Sequence, residues 1–392
     1  MRSELFTAEE NAIVGTVERF VAEKVLTQVM QLERGEIYPT ALVEEMRELG
    51  FFGLAVPVEF GGLGLRMPVF CAVFEALSRG WTTLSAYINS HATVAYAIAT
   101  HGTEEQRAAL LPGLATGEHR GSLCLSEPGC GSDLQAIRTT ASDAGDHYAV
   151  SGSKTYVTNG RRATLLLVLA KHRQATGEKP RISLLLVEKT LPNLQVTSVF
   201  DKMAFGLVDT VQIELDAVPV PKSRLLGGVE GKGFAQLMDS LEIGRIAIAS
   251  SAVGLATSAL AEAKRYAGER EAFGVTIDKH QAIQLKLADM ATKLVAARLI
   301  THEAASAKEK GGRCDMIGAM AKIFASDAAL EIALDAVRIH GGAGYIRDQT
   351  VERLYREALL YTIGEGTNDI NRLVIARRLQ GDTEMAYLGI AP

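Results

Sequence analysis

The stretch FAQLMDSLEIGRIAIASSAVGLATSALAEAKRYAGER, residues 234–270, decides the fold class because it predicts one long helix. At 1.5 Å per residue, such a helix would extend roughly 50 Å. The middle of the stretch is apolar on most sides, which is typical of a helix inside a bundle. Small residues there would let neighbouring helices approach closely, namely Gly244, Ala249, Ser250 and Gly254.

The rest of the C-terminal region also favours helices. Pro221 is followed by 170 residues without a proline, the residue that most strongly interrupts a helix. Three more helices are predicted over 280–310, 318–342 and 348–364, and the second of these ends in glycines. Residues 229–392 are therefore predicted to form a four-helix bundle domain.

The middle of the chain has a different pattern. Short β-rich segments, separated by turn residues, occupy 147–160, 164–171, 181–189, 194–200 and 210–220. They predict a small antiparallel β domain over residues 122–228. Residues 1–121 are helical again, and Thr7 with Glu10 three residues later indicates a capping box. The predicted class is α+β, in the order helices, β domain, helices.

Composition limits the possible functions. A chain of 392 residues suggests two or three domains, and 47% hydrophobic with 22% charged residues is normal for a globular protein. The net charge of −5 argues against a nucleic-acid partner. Four scattered cysteines without zinc-type spacing predict reduced thiols and no metal site. We expect neither a signal peptide nor a membrane-spanning run, and hence a cytoplasmic protein without a membrane partner.

Five stretches hold candidate functional residues, and each also has a structural explanation. SEPGCGSDL, residues 126–134, could bind an anion or a ring edge, or could be an ordinary loop. KTYVTNG (154–160) could be a strand with a turn, EREAFGVTI (269–277) a surface loop, and HGGAGY (340–345) a helix stop. In TIGEGTND (362–369), Glu365 has a glycine on each side and by itself would be a helix-terminal acid. The chain lacks both G-x-G-x-x-G and a P-loop, so no Rossmann site is predicted.

Taken together, the order and spacing of these stretches resemble the acyl-CoA dehydrogenase family. The resemblance runs from FTAEENAIV (6–14) to RLVIARRL (372–379) and covers nearly the whole chain. It also includes FGGLGL, GTEEQRAALLPGLATGE, HQAIQLKLADM and EGTNDINRLVIARRL. Any one of these segments is a weak signal, whereas eight in the same order are highly specific.

The resemblance implies that Glu365 is the catalytic base. In short- and medium-chain members, the glutamate of the EGT motif removes the pro-R α-proton of an acyl thioester. The β-hydrogen leaves as hydride to N5 of FAD, and the product is a trans-2-enoyl thioester. The charge that develops on the thioester oxygen needs donors, which the family takes from the base's own N–H and the ribityl 2′-hydroxyl of FAD. Closure of an apolar acyl tail would exclude water and raise the pKa of Glu365.

The resemblance also implies the substrate contacts. A second branch of the family carries its base on the long helix, at the position of Gly244, so Glu365 alone is available here. Glu242 matches an acidic contact to the CoA pantetheine, and Arg245 matches a neighbouring substrate contact. Gly366 leaves room for the thioester beside the base, and Ser132 is a further expected substrate contact.

The implied FAD site is assembled from several segments. The loop over the isoalloxazine and pyrophosphate would be formed by Leu123, Leu125, Ser126, Gly131 and Ser132. Tyr156 and Thr158 would lie against the other face and the N5 edge, and Thr367 and Asp369 would touch the cofactor beyond the base. The adenosine diphosphate would be held by Arg270, Phe273, Gln281, Arg338 and Gly342. In the family part of this set comes from a neighbouring subunit, so a homo-oligomer is implied, at least a dimer and usually a tetramer.

The sequence departs from the family pattern at four positions. Gly364 stands where tyrosine is common, which opens space beside the acyl α and β carbons for a branched or bulky chain. Leu123 often matches an aromatic residue, Tyr156 a tryptophan and Arg338 a glutamine. These differences leave FAD binding intact but put a straight-chain substrate in question.

The leading interpretation is an FAD-dependent acyl-CoA dehydrogenase that passes electrons to an electron-transfer flavoprotein. One alternative is a relative that acts on an acyl or aminoacyl group bound to a carrier protein. Another alternative, outside catalysis, is an inactive flavoprotein assembly subunit, and the intact Glu365 argues against it. Chain length and branching of the substrate depend on helix packing around the pocket and do not follow from the motifs.

Overall fold

The computed structural model describes residues 6–172, 181–380 and 387–388, so the extreme ends of the first and third predicted domains lie outside the described residues. The N-terminal region is helical, as predicted, and α1 begins with the predicted capping box of Thr7 and Glu10. A π-helical turn, Val21–Val25, directly continues α1. The helices are α1 (Ala8–Phe20), α2 (Val29–Gly35), α3 (Thr40–Glu48), α4 (Met67–Gly80), α5 (Thr82–His101) and α6 (Glu104–Ala115).

The middle region forms one seven-stranded sheet. Its strands are β1 (Gly121–Cys124), β2 (Thr140–Asp143), β3 (His147–Thr158), β4 (Leu165–His172), β5 (Ile182–Glu188), β6 (Leu194–Val199) and β7 (Thr210–Pro221). The five predicted strands are present, but β1 and β2 were not predicted because four residues are too few to show a clear alternation. The sheet is mixed rather than purely antiparallel, since β1 and β2 each pair with β4 in parallel.

The C-terminal region contains the four predicted helices: α7 (Gly233–Glu269), α8 (Gln281–Glu309), α9 (Asp315–His340) and α10 (Thr350–Ile363). A short hairpin of β8 (Glu271–Ala272) and β9 (Val275–Thr276) connects α7 to α8. A further helix, α11 (Asn368–Arg378), was not predicted, and it begins where the side chain of Thr367 accepts a hydrogen bond from the N–H of Ile370. Glu365 therefore lies in the short connection between α10 and α11.

The long helix α7 is the centre of the helical packing. A Cβ placed on Gly254 would lie 2.3 Å from the carbonyl oxygen of Glu75 in α4, so the backbones of the two helices are in contact. Within the part of the chain that the structure describes, α7 is also the one helix long and apolar enough to cross a membrane, contrary to the expectation of no such run. Of the most apolar 18-residue segment of α7, 67% is buried inside the protein, as in the core helix of a bundle.

Candidate active site

The carboxylate of Glu365 lies between helices α5 and α7. The residue is half-buried, and its backbone has a left-handed conformation, φ +54°, which non-glycine residues rarely adopt. Nδ2 of Asn89, in α5, donates a hydrogen bond to Oε1 over 3.2 Å. On the other side, a Cβ placed on Gly244 of α7 would lie 2.9 Å from Oε2.

Burial raises the pKa of Glu365 above its ordinary value, because desolvation penalises the charged form. Three groups act in the opposite direction: the charge of Arg245, the hydrogen bond from Asn89 and the charge of Lys322. The upward direction of the net shift shows that burial outweighs them. A carboxylate with a raised pKa is a better proton acceptor, as a general base requires.

Glycine at position 244 makes room for this carboxylate. A Cβ there would also lie 3.1 Å from Cδ of Glu365, closer than nearly all real contacts of that kind. A side chain on Gly244 and the present position of Glu365 therefore exclude each other. The family resemblance implies two alternative positions for the base, 365 and 244. In this fold, side chains at these two positions would occupy the same space.

The backbone beside this carboxylate offers an unused donor. The N–H of Glu365 makes no hydrogen bond to any residue within the described ranges, whereas the N–H of Gly364 bonds the carbonyl oxygen of Leu360 over 2.8 Å. Gly366 follows with φ +83° and is exposed. A free N–H next to the carboxylate is what the stabilisation of a developing oxyanion needs.

The loop that carries Glu365 is fixed by a buried lysine of α9. Lys322 is fully buried, and its Nζ donates to the carbonyl oxygen of Gly366 and to Oδ1 of Asn368, each over 2.8 Å. Burial lowers the pKa of Lys322 to about 8, although the nearby charge of Glu365 opposes the shift. Nδ2 of Asn371 also donates to the Gly366 oxygen, so this carbonyl is held from two sides.

Two of the predicted motifs are joined by a buried ion pair between Lys154 and Glu127. Nζ of Lys154 lies 2.8 Å from Oε1 of Glu127 and also donates to the carbonyl oxygen of Leu125. Glu127 accepts further hydrogen bonds from the N–H of Arg138 and from the N–H and hydroxyl of Thr139. Burial raises the pKa of Glu127, but these hydrogen bonds outweigh burial, and the net pKa is lowered. The network fixes the SEPGCGSDL loop to the KTYVTNG strand.

The predicted flavin residues in this region form an open, partly aromatic surface. Tyr156 is 68% exposed with φ +57°, and its ring lies 5.2 Å from that of Phe200. Gly131 and Ser132 are exposed, and a Cβ on Gly131 would meet open space. The N–H of Thr155 donates to the carbonyl oxygen of Ser126, which brings strand and loop together. An exposed aromatic face beside a loop that a backbone can approach closely fits a flat ring such as isoalloxazine.

The other predicted members of this group lie close to the same segments. Leu123 and Leu125 are half-buried and pack against the core between the sheet and the helices. The hydroxyl of Ser122 donates to the carbonyl oxygen of Thr158, which holds β1 beside β3. Thr367 caps α11, and Asp369 is exposed in its first turn.

The predicted adenosine-diphosphate residues lie elsewhere, around the far end of α7. Arg270 follows Gly244 by 26 residues, a distance of about 39 Å along a helix. Phe273 is 96% exposed, and its φ of +53° is as unusual as those of Tyr156 and Glu365. The remaining members are exposed near the start of α8 and the end of α9, namely Gln281, Arg338 and Gly342. One chain thus separates the two halves of the predicted FAD site.

Glu242 and Arg245, the predicted substrate contacts on α7, are both buried. Oε2 of Glu242 accepts hydrogen bonds from Nζ of Lys308 over 2.9 Å and from the thiol of Cys314 over 3.1 Å. Nε of Arg245 has no hydrogen-bond partner within the described part of the chain. Burial lowers the pKa of Arg245, and the charges of Glu365 and Glu242 oppose that shift. An unpaired buried donor near Glu365 is available to a ligand.

Sequence reasoning did not identify Asn89, Lys322 or the role of the Lys154–Glu127 pair. Lys322 stands inside the apolar stretch GAMAKIFAS, so a charge in a buried helix could have indicated it. Lys154 and Glu127 lie inside motifs that were recognised, although their contact is not visible in sequence. Asn89, in SAYINSHAT, has no such signal, because only the packing of α5 against the loop brings it to Glu365.

The fold and the similarity to known proteins together define an oxidoreductase of the flavin-dependent type. The chain belongs to the acyl-CoA dehydrogenase family: sequence models of its N-terminal, middle and C-terminal domains match residues 7–118, 122–218 and 231–380. The predicted family, fold class and enzyme class are thereby confirmed. The family depends on FAD, which confirms the predicted cofactor.

Individual relatives support the same assignment. An acyl-CoA dehydrogenase of Bacillus subtilis is 38% identical over 96% of this chain and 99% of its own length. The caffeyl-CoA reductase-Etf complex subunit CarC of Acetobacterium woodii is 36% identical over 96% of this chain and 99% of its own. Homologues of this chain thus include dehydrogenases, reductases and a protein associated with an electron-transfer flavoprotein.

Solved structures are similar along nearly the whole length. Butyryl-CoA dehydrogenase from Megasphaera elsdenii has a TM-score of 0.92 and 31% identity, over 96% of this chain and 99% of that one. The prolyl acyl carrier protein oxidase AnaB has a TM-score of 0.90 and 29% identity, over 95% and 99%. An FAD complex of PigA has a TM-score of 0.90 and 26% identity, over 96% and 98%.

Proposed function

We propose that this protein dehydrogenates an acyl-CoA thioester between its α and β carbons and forms the trans-2-enoyl-CoA. The observation that carries the proposal is the carboxylate of Glu365, which is held by Asn89 at one oxygen and faces the space over Gly244 with the other. A carboxylate in this setting, with a raised pKa and a free N–H beside it, has the properties of a base for a weakly acidic C–H.

Each chain residue has a separate task in the proposed reaction. Glu365 takes the α-proton, and its own N–H donates a hydrogen bond to the thioester oxygen. Glu242, Arg245, Gly366 and Ser132 hold the pantetheine and thioester part of the substrate. FAD, when bound, supplies the acceptor for the hydride that leaves the β-carbon, and we propose an electron-transfer flavoprotein as the next acceptor.

We assign FAD binding to two sets of residues. The flavin end would be held by Leu123, Leu125, Ser126, Gly131, Ser132, Tyr156, Thr158, Thr367 and Asp369. The adenosine diphosphate would be held by Arg270, Phe273, Gln281, Arg338 and Gly342. Because about 39 Å of helix separates Arg270 from Gly244, we propose that the second set serves the site of a neighbouring subunit. The working unit is then a homo-oligomer, and we propose a cytoplasmic homotetramer.

The space around Gly364 supports a branched or bulky acyl group. A Cβ placed there would meet only the carbonyl oxygen of Leu360, 3.4 Å away. The position therefore has room for a side chain that this protein does not have. We propose that a substituent near the α or β carbon of the substrate uses this room.

Two alternatives remain for the experiment to separate. A carrier-protein-bound acyl or aminoacyl substrate is supported by the similarity to the prolyl acyl carrier protein oxidase. An inactive assembly subunit would explain the fold without the chemistry, but the intact base and its hydrogen bonds argue against it.

The decisive experiment is anaerobic mixing of the purified FAD-loaded protein with a panel of straight and branched acyl-CoAs and the matching acyl-carrier-protein thioesters. Bleaching of the flavin absorbance by an acyl-CoA, with release of the enoyl-CoA, supports the proposal. Bleaching by carrier-bound thioesters alone favours the first alternative. A yellow protein that no thioester bleaches favours the second.

A further inference from the structure

Asn89 contacts the base from outside every recognised motif. It lies in α5 and is half-buried, and Nδ2 donates to Oε1 of Glu365 over 3.2 Å. Its other amide atom, Oδ1, is buried and has no hydrogen-bond partner within residues 6–172, 181–380 and 387–388. One half of the amide is therefore engaged with the carboxylate, and the other half has nothing to bond.

The carboxylate receives its side-chain hydrogen bond from Asn89 alone, as far as the described residues go. Arg245 from α7 and Lys322 from α9 influence Glu365 through their charge, while Nζ of Lys322 donates instead to Gly366 and Asn368. Asn89 is thus the group that can fix the rotation of the carboxylate about its last bond. With Oε1 held, Oε2 is the oxygen that faces Gly244.

We propose that Asn89 is a positioning residue, which holds Oε1 of Glu365 so that Oε2 is presented to the α-proton in the space over Gly244. The inference rests on the proposed role of Glu365 as the base. Asn89 itself does not touch the reacting atoms. It acts by removing one of the two orientations in which the carboxylate could meet the substrate.

An amide suits this task because it can bond both protonation states of the base. An ionised carboxylate only accepts hydrogen bonds, whereas a protonated carboxyl group also donates one. Because the proposed geometry places the new proton on Oε2, Oε1 remains an acceptor, and the N–H of Asn89 can keep its hydrogen bond before and after the proton transfer.

Two substitutions of nearly the same shape separate this role from simple packing. Asn89→Leu removes the donor, and Asn89→Asp places a second carboxyl group beside the first. Ser90→Ala is the matched control, because Ser90 is buried in the same helix and makes no hydrogen bond to Glu365. Arg245 and Lys322 remain in every variant, so differences among the variants report on position 89.

The main readout is the pH dependence of kcat/KM for a good substrate. Loss of the donor should move the acidic limb upward by about one unit in Asn89→Leu. Asn89→Asp should move it further, because like charges in contact disfavour ionisation. In Ser90→Ala, the acidic limb should stay at the same pH as in the parent protein. Flavin absorbance and melting temperature show whether each variant is folded and loaded.

A second readout does not depend on turnover. Infrared difference spectra over a pH range should show the protonated carboxyl band of Glu365, identified by its loss in Glu365→Gln. The pH at which this band appears should rise in the order parent, Asn89→Leu, Asn89→Asp. Even if no thioester bleaches the parent protein, which would sink the proposed function, this order still supports the contact. The role of Asn89 would be overturned if, in both variants, the carboxyl band appeared at the same pH as in the parent and the acidic limb of kcat/KM did not move.

Discussion

Glu365 combines a proposed catalytic role with an unfavourable environment. Glu365→Gln keeps the shape of the side chain but removes the proton acceptor, and no second base stands at Gly244. The rate of anaerobic flavin bleaching should fall about 10²–10⁴-fold, while yellow colour and thioester binding remain. In the parent protein, bleaching should increase with pH and level off above the raised pKa of Glu365. A variant that bleaches as fast as its parent would show that Glu365 is not the base.

The same substitution should stabilise the fold at neutral pH. A carboxyl group with a pKa raised in the folded state binds its proton more tightly there than when unfolded. Stability therefore decreases as pH rises from the ordinary glutamate pKa through the raised one, and the full penalty applies above it. Glutamine carries no such penalty, so the melting temperature of Glu365→Gln should exceed that of the parent at pH 7 and match it more closely at low pH.

A glutamate introduced at position 244 of the long helix α7 should be able to replace Glu365 as the base. A Cβ on Gly244 would lie 2.9 Å from Oε2 of Glu365, so Gly244→Glu alone should lose activity through this conflict. The double variant Gly244→Glu with Glu365→Gly removes the conflict and suits the left-handed backbone at position 365, φ +54°. It should bleach faster than Glu365→Gly by itself. Equal rates for these two proteins would mean that position 244 does not address the α-carbon.

At this scale, sequence was informative where a residue belongs to a motif. The order of the motifs identified Glu365 and showed that position 244 carries a glycine. The structure places these two residues face to face. Asn89 could not be predicted, because its contact with Oε1 depends on how α5 packs against the loop, and that packing leaves no local pattern in SAYINSHAT.

At the scale of elements, removing one partner of the buried pair Lys154–Glu127 should cost far more stability than removing one partner of an exposed pair of similar length. Lys154→Met leaves Glu127 buried without its cation, at an expected loss of about 3–5 kcal/mol in the free energy of unfolding. Lys222, which bonds the exposed Asp143 over 2.9 Å, provides the control, and Lys222→Met should lose about 1 kcal/mol or less. Chemical denaturation measures both, and FAD retention should weaken in Lys154→Met alone.

The approach of α4 to α7 can be tested with two glycines of one helix. Gly254→Ala forces a Cβ to within 2.3 Å of a backbone oxygen of α4, which should destabilise by about 1–3 kcal/mol. Gly268→Ala, at a position with open space, should be neutral or stabilise by up to about 1 kcal/mol through helix propensity. Similar melting temperatures for the two variants would contradict the close contact.

Elements with a long periodic pattern were predictable, and short ones were not. The four C-terminal helices follow from the proline-free sequence, and the five longer strands from their β-rich composition. The strands β1 and β2 pair in parallel with β4 through contacts distant in sequence, and four residues cannot indicate such a partner. Helix α11 was missed because the glycines around Glu365 concealed the cap at Thr367.

For the whole molecule, the order helices, β domain, helices was predictable, since each region has its own composition. The proposed arrangement of subunits does not follow from such patterns, because it depends on surfaces that one chain leaves exposed. Phe273, 96% exposed with a left-handed backbone, is the strongest sign of such a surface. This exposure agrees with the proposal that Phe273 contacts the FAD of a neighbouring subunit.

A shared FAD site makes a prediction that a self-contained site does not. Arg270→Ala should remove a contact to the FAD of a neighbouring subunit, and Glu365→Gln should remove the base. A homo-oligomer of either variant should therefore be nearly inactive. In a mixed pair, the subunit with Arg270→Ala keeps its base and receives an intact Arg270 from its partner, which restores one of two sites. Since random exchange makes half of the pairs mixed, activity should return to about a quarter of the parental value. Mass spectrometry of the intact assemblies confirms that subunits have exchanged. Mixed assemblies without activity would show that Arg270 serves its own chain, and the 39 Å or so between Arg270 and Gly244 along α7 would then need another explanation.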